Sequence, residues 1–442
     1  MVKLSGMLSQ FDPVHVLVIG DFLLDTYTTG KIKRMSPEAP VPILHVEKEE
    51  NRPGGAGNVV LNLISLGAQV TAVGRIGYDF AGKWLHSFLE TEGVNVQALL
   101  SQKGYKTSVK NRLIADAQQI LRFDYEEITP LLPDLEKELI QQLPTLIKEI
   151  QIVAISDYGK GFLTRYLLKS VIQLAKKLSI PVIVDPKGED FSKYSGVTIL
   201  KPNLSEAVTA AKLLKTSPLD QVAEIIFSQC SAEMLLITRS EEGMSLFNRS
   251  GYTCDFTVPS KEVKDVTGAG DTVLAMMSIA LANQMDINHA IQLSNIAAGI
   301  AIEKLGCARV TLSHIAQRLL ELDVENKIFE EHHLFALQQS LKDTRYTVLG
   351  IDSRKGMSTA LFSTFRKLCS KKIKSKLIIY ICDTNPDQEF ILLLSSLSEV
   401  DFIVLKSESL KNLCKIIHPE HVFIMNQSEL IPLTHPMELF VL

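Results

Sequence analysis

"VTGAGDTVLA" spans Val266–Ala275 and sets two glycines, a carboxylate and threonines at the head of an apolar run. A glycine inside a helix costs ~1 kcal/mol relative to alanine, so two within one turn imply that the backbone itself has a task. If Gly268–Gly270 closes a loop and Asp271 opens a helix, the unpaired N–H groups of the helix start point back at the turn. Such a nest binds anions, the helix dipole favours negative charge there, and glycine lets a phosphate approach the chain closely. A carboxylate would repel a simple phosphate ligand. Asp271 makes chemical sense facing a hydroxyl that must lose its proton while the glycines hold the phosphoryl group in transit, a service worth roughly 10²–10⁴-fold in rate. Asp271 also fits as an N-cap on a buried helix, and the motif alone leaves both readings open.

A second glycine knot, "RPGGAGNVVLN" at Arg52–Asn62, has a similar shape but ends in an amide. Asn58 could donate and accept toward sugar hydroxyls; a plain loop-to-helix turn explains the stretch equally. "GYDFAGKW" (77–84) spaces its glycines and lysine like a phosphate-binding P-loop, but Trp84 stands where that motif needs a serine or threonine for Mg²⁺. It reads as a turn into a helix.

Around these knots, short β-branched runs alternate with amphipathic stretches. "VHVLVIG" (14–20), "IVAISD" (152–157), "IPVIVD" (180–185), "VTILKPN" (197–203) and "MLLITRS" (234–240) read as buried strands. The alternation specifies an α/β fold, a mainly parallel sheet with helices on both faces. Ligands gather at the carboxyl ends of such strands, which is where Asp21, Asp157, Asp185, Asn203 and Arg239 fall. Segments 30–50 and 107–127 are extended and partly polar, and read as a small separate sheet lying over the site as a lid.

The chain has 442 residues, net charge −4, 46% hydrophobic and 22% charged residues. That length implies more than one domain, and the charge speaks against a nucleic-acid partner. Six scattered cysteines without a C-x-x-C pair fit free thiols in a reducing compartment. With no signal peptide and no apolar run of about 18 residues, the sequence reads as a cytoplasmic protein with no membrane partner.

Together "GDFLLD" (20–25), "PGGAGNVVLNLISLGA" (53–68), "GRIGYD" (74–79), "KPNLSE" (201–206) and "DVTGAGDTV" (265–273) resemble, in order, the ribokinase/PfkB family of sugar kinases. The resemblance covers residues 10 to about 320. "SPEAPVPIL" (36–44), "QQILRFDYEE" (118–127), "ISDYGKG" (155–161), "VDPKGEDFSKYSG" (184–196) and "TRSEEGMSLF" (238–247) are most similar to the branch of bifunctional heptose-7-phosphate kinase/heptose-1-phosphate adenylyltransferases. That branch phosphorylates the anomeric hydroxyl of heptose 7-phosphate on the way to ADP-heptose for lipopolysaccharide core.

The resemblance implies roles for particular residues. Asp271 would be the base, with Gly268, Ala269 and Gly270 the anion hole for the γ-phosphate of ATP. Asp21, Gly55 and Asn58 would hold sugar hydroxyls. Asn203 and Glu206 would orient Mg²⁺ through its waters, though N-x-x-E is also a helix capping pair. Thr238, Arg239 and Gly243 would border the nucleotide, with Asn295 near the adenine. Arg112, Arg122, Lys160 and Lys187 suit a phosphate on the substrate. A homodimer through the lid is implied as well. Two other readings share these residues: a kinase for another sugar or sugar phosphate, and a non-catalytic sugar or nucleotide sensor.

Composition shifts near residue 322. Residues 323–344 read as a charged linker, and 345–442 as a smaller α/β unit resembling the nucleotidyltransferase domain of the bifunctional proteins. That family places H-x-G-H after its first strand; here the place reads "GIDSRKGMSTALF". The basic glycine-rich segment after its last strand is replaced by "IMNQSEL". His418 and His421 precede the last strand and read as turn residues. Adenylyl transfer is therefore expected to be lost, leaving a packing, dimerisation or regulatory role. The basic run at 366–376 reads as a solvated helix end.

Overall fold

The computed structural model describes residues 11–433 apart from 117, 259–262, 264, 305, 323–326, 331–333, 343, 369–374, 407–408 and 427–428. The chain divides into two compact units, one of Val14–Val310 and one holding the chain from Thr311 onward.

The first unit is built on strands β1 (His15–Met35), β2 (Pro42–Gly55), β3 (Gln69–Gly77), β4 (Asn95–Gln102), β5 (Val109–Ala115), β6 (Gln118–Tyr125), β7 (Ile152–Ser156), β8 (Val182–Asp185), β9 (Ile199–Leu200), β10 (Met234–Thr238), β11 (Met244–Asn248) and β12 (Thr253–Phe256). The main sheet runs β12-β11-β10-β9-β8-β7-β1-β3-β4. It is parallel from β10 to β4 and closes with two antiparallel strands. Val16–Ile19 and Ile152–Ile155 are fully buried, because helices on both faces leave no side for water. Every parallel strand of this sheet delivers its carboxyl end to the same edge.

The lid differs from the expected separate sheet. β1 is one strand of 21 residues with no proline in it. Its first half lies in the main sheet, and its second half pairs antiparallel with β2 and parallel with β5, to which β6 adds. Register shifts at Thr29/Gly30 and Ile32/Arg34 mark where this ribbon bends.

In "GYDFAGKW", Asp79 caps the helix Phe80–Thr91 by accepting from the Gly82 amide at 2.7 Å. The stretch is a helix entry rather than a P-loop.

The second unit is a sheet of β13 (Ile328–Glu330), β14 (Tyr346–Ile351), β15 (Lys376–Ile381), β16 (Phe402–Leu405), β17 (His421–Asn426) and β18 (Glu429–Pro432), in the order β13-β16-β15-β14-β17-β18. The stretch expected as a linker at 323–344 holds a strand and a helix. β13 pairs parallel with β16, burying Ile328 and Phe329, and a helix follows at Phe335–Leu341. Three residues between charged flanks give no periodicity from which a strand could be read. The helix Leu312–Leu322 groups with this unit and packs on Phe335–Leu341, so the division falls at 310/311. Among the described residues no helix is long and apolar enough to cross a membrane.

Candidate active site

The opening stretch folds as a loop running into the helix Ala269–Ala282, with Gly268 as its left-handed N-cap at φ 79°. A side chain at Gly268 would come 2.7 Å from the Asn58 amide nitrogen, so both conformation and space call for glycine. Gly268 and Ala269 are half-buried and Gly270 is exposed, while Asp271 beneath them is buried. The Ala269 amide turns back to the Val266 carbonyl at 3.3 Å. The Gly270 and Asp271 amides belong to the first helical turn, which has no intrahelical acceptor for them. The surface loop thus offers amides to an anion above a carboxylate held inside.

That carboxylate is pinned from two sides. Asn58 Nδ2 donates to Oδ2 at 2.7 Å and the Tyr158 hydroxyl donates to Oδ1 at 3.0 Å. Burial pushes Asp271 up to about 7, against the hydrogen bond from Asn58, and the nearby Asp185 charge pushes the same way. Asn58 lies in the first turn of the helix Ala56–Ser65, which Gly55 enters at φ 58°. Both glycine knots therefore meet at Asp271, bringing residues 213 apart in sequence into contact.

Asp21 sits within β1 where the strand leaves the main sheet. Its carboxylate accepts the Tyr158 amide at 2.9 Å and the Lys160 amide at 3.0 Å. Burial and then the Asp157 charge push it up to about 6. Asp157 is held by Lys193 and Tyr194, each at 2.6 Å. At the end of β8, Asp185 pairs with the buried Lys201 at 2.9 Å, and burial raises its carboxyl. Carboxylates thus stand at the same edge of the main sheet on three neighbouring strands, Asp21 where β1 leaves it and Asp157 and Asp185 at the ends of β7 and β8, with a cation beside the last two.

The cations expected to meet a substrate phosphate are dispersed. Arg112 donates to Asp25 at 2.6 Å and lies over the Tyr27 ring. Lys187 pairs with Glu206 at 2.7 Å, and its side chain passes beside Gly159. Lys160 is buried and pairs with Glu126. Arg122 on β6 pairs with Asp124. Sequence reasoning missed Lys110 of β5, whose ammonium lies 5.2 Å from the Tyr158 ring. Burial lowers it, and Lys160 is one of the charges it faces.

On the other side of Asp271, Asn203 and Glu206 form a reciprocal capping box on the helix Leu204–Ala211. Glu206 therefore spends one oxygen on the Asn203 amide at 3.1 Å and the other on Lys187. Asn203 bridges to Thr238 at the end of β10. The Arg239 amide donates to the Gly243 carbonyl, and its guanidinium reaches Glu242 and Asp255. Gly243 at φ 87° packs so tightly that a Cβ would strike the Phe256 carbonyl. Asn295 Nδ2 donates to that same carbonyl at 3.2 Å, while its buried Oδ1 has no partner among the described residues. An orphaned acceptor beside strand ends suits the exocyclic amino group of a purine.

Residues 15–314 match the pfkB family of carbohydrate kinases. The chain belongs to this family. The bifunctional protein HldE of Trichlorobacter lovleyi is 45% identical over 328 residues, 73% of this chain and 67% of that protein. HldE of Campylobacter jejuni (strain RM1221) is 44% identical over 334 residues, 75% and 69% of the two chains. The chain spans about two thirds of the length of these relatives. The ribokinase of Arabidopsis thaliana, solved with ribose and ATP, shares the fold: TM-score 0.54 at 18% identity, over 70% of this chain and 99% of that one. This carbohydrate kinase is accordingly a phosphotransferase with a ribokinase-like sheet and a second, smaller sheet unit.

Besides Lys110, three residues of the candidate site escaped sequence reasoning. Tyr158 follows Asp157 directly and Lys201 lies two residues before Asn203, and that nearness to residues singled out at strand ends was the available signal. Arg75 is fully buried, donates to the carbonyls of Thr129, Pro130 and Lys160 and stacks over Tyr105. Nothing in "GRIGYD" sets it apart from a surface arginine.

Proposed function

We propose that this carbohydrate kinase transfers the γ-phosphoryl group of ATP to a hydroxyl of a sugar phosphate, with Asp271 as general base. The carrying observation is the Asp271 carboxylate, buried under an amide-lined loop and oriented by Asn58 and Tyr158. A carboxyl poised near neutrality can accept a proton at working pH. The hydroxyl oxygen attacks the γ-phosphorus, its proton passes to Asp271, and the bond to the ADP leaving oxygen breaks. Gly268 and Gly270 with their loop amides meet the phosphoryl charge, and Ala269 contributes less because its amide is partly engaged. Asp21, Gly55 and Asn58 hold the sugar. Thr238, Arg239, Gly243 and Asn295 border the nucleotide, the orphaned Asn295 oxygen supporting that placement.

Asn203 and Glu206 fit Mg²⁺ through its water shell only, since the capping box and Lys187 occupy the Glu206 oxygens; bound there, the ion would neutralise phosphate charge.

Heptose 7-phosphate as acceptor, and a place in ADP-heptose synthesis, follow from the shared motifs of the heptose branch. Lys160 with Arg122, both facing Lys110, is the cluster we assign to the substrate's own phosphate. All four of the cations expected there are paired with carboxylates, Arg112 with Asp25, Arg122 with Asp124, Lys160 with Glu126 and Lys187 with Glu206. That commitment favours a second reading, a kinase for another sugar or sugar phosphate. ADP release measured across sugar 7-phosphates, 6-phosphates and unphosphorylated sugars separates the two. Sugar binding without any ADP release would instead make the protein a sensor. We further propose a homodimer through the lid, whose outer strand β6 exposes Ile120, Leu121 and Tyr125.

For the second unit we propose that adenylyl transfer is absent. After β14, Asp352 caps the turn Ser353–Lys355 and pairs with Arg354, and no histidine occurs there. His418 ends the helix Leu410–Ile417 in a left-handed turn and His421 opens β17. Residues 369–374 of the basic run and 427–428 of "IMNQSEL" lie outside the described residues.

A further inference from the structure

Tyr158 is joined to the site at three points. Its hydroxyl donates to Asp271 Oδ1 at 3.0 Å, its amide donates to Asp21 Oδ2 at 2.9 Å, and Lys110 of the lid strand β5 lies 5.2 Å from its ring centre. These partners come from the helix after the glycine loop, from the point where β1 leaves the main sheet, and from the lid. No other described residue hydrogen-bonds to both Asp21 and Asp271. A cation near a phenol's ring draws electron density and strengthens the donor character of the hydroxyl.

We propose that Tyr158 is a positioning residue for phosphoryl transfer, aiming Asp271 with its hydroxyl and passing the placement of the lid, through Lys110, to that base. This rests on Asp271 being the base, as proposed above. The charged and titratable groups facing Asp271 are Tyr158 from the loop after β7, Asp185 from β8, Lys201 beyond β9 and the Cys307 thiol; Asn58 faces it as a neutral donor. Of these, Tyr158 and Cys307 both reach the lid, Tyr158 through Lys110 and Cys307 through the Tyr27 hydroxyl at 3.8 Å; of the two, Tyr158 is the one that donates a hydrogen bond to Asp271. Losing a donor to the carboxylate favours its protonated form, so base function should fail at higher pH than in the wild type.

The test is kcat against pH for the full chain, with ATP and the best sugar phosphate, in Tyr158→Phe, Lys110→Met and the double variant. Tyr158→Phe should lower kcat ~10-fold while the KM for ATP stays within about twofold, because a misaimed base costs rate rather than nucleotide binding. The acid limb of its profile should move up by ~0.5 pH unit. Lys110→Met should move the limb the same way by less, and the double variant no further than Tyr158→Phe alone. An unmoved limb in Tyr158→Phe, or additive shifts in the double variant, would overturn the proposal. Lys110→Met sits on the lid and keeps the test usable if Tyr158→Phe does not fold. Asp271→Asn run alongside separates the two claims: if it retains turnover, the base assignment itself fails. If it is silent while Tyr158→Phe behaves as wild type, only the role of Tyr158 fails.

Discussion

The two units of this chain present the same scaffold with opposite finishes. Both are α/β sheets that bring polar residues to the carboxyl ends of parallel strands. In the second unit those residues satisfy one another: Asp383 accepts the Ser353 amide at 2.7 Å and its hydroxyl, and the Ser353 oxygen takes the Asp387 amide. A cavity of about 330 Å³ remains there, lined by Arg354, Cys382, Asp383, Thr384, Asn385 and Lys406. In the first unit, groups are left uncommitted: Asn295 Oδ1 lacks a partner among the described residues, and helix-start amides sit above a carboxylate pushed toward neutrality. Topology supplies the place, and unspent polar groups supply the chemistry.

The largest expected effect tests that contrast directly. Asp271→Asn should lower kcat by ~10³-fold or more, within the range a general base supplies, while ATP still binds by calorimetry; substantial turnover would erase the distinction between the units. Gly268→Ala comes next. The left-handed turn resists a side chain, and the added carbon would press on Asn58. A loss of ~10²-fold in kcat and a lower melting temperature are expected. Asn295→Leu should raise the KM for ATP by ~10-fold and leave the sugar KM unchanged, which steady-state kinetics would read.

The pH dependence sharpens the comparison further. With Asp271 near 7, kcat/KM should fall as pH drops below about 7, the inactive form being the protonated one. Asp21 and Asp271 both stand above ordinary carboxyls, so the folded chain holds protons that the unfolded chain releases. Their contribution to stability is full below about pH 4 and is lost as pH rises through 6 to 7. Between pH 4 and 8 the urea midpoint of the wild type should therefore fall relative to that of Asp21→Asn, which has no carboxyl to ionise at that position. The smallest effect is a null one: no pyrophosphate should form from ATP and a sugar 1-phosphate, and any release would restore a second active centre to the smaller unit.

Much of this site was legible in the sequence because its parts are local. The turn at Gly268–Gly270, the knot at Gly54–Asn58, Asp21 at the edge of the main sheet and the strand-terminal Asp185 are each specified within a few residues. What escaped are partnerships between distant segments. Arg112 with Asp25, Lys160 with Glu126 and Lys187 with Glu206 each join a named cation to a carboxylate on another element. Charge alone does not say which neighbour a long side chain will choose. Strand β13 was hidden for a different reason, since three residues cannot display a period of two.

The passage of one uninterrupted strand from the main sheet into the lid has a mechanical outcome. A flap on a flexible tether can swing freely, but β1 is clamped at its base between β3 and β7 and pairs along its outer half with β2 and β5. The cover is therefore built as a cantilever, an extension of the main sheet itself whose β1–β2 pairing breaks register only at the irregularities near Gly30 and beyond.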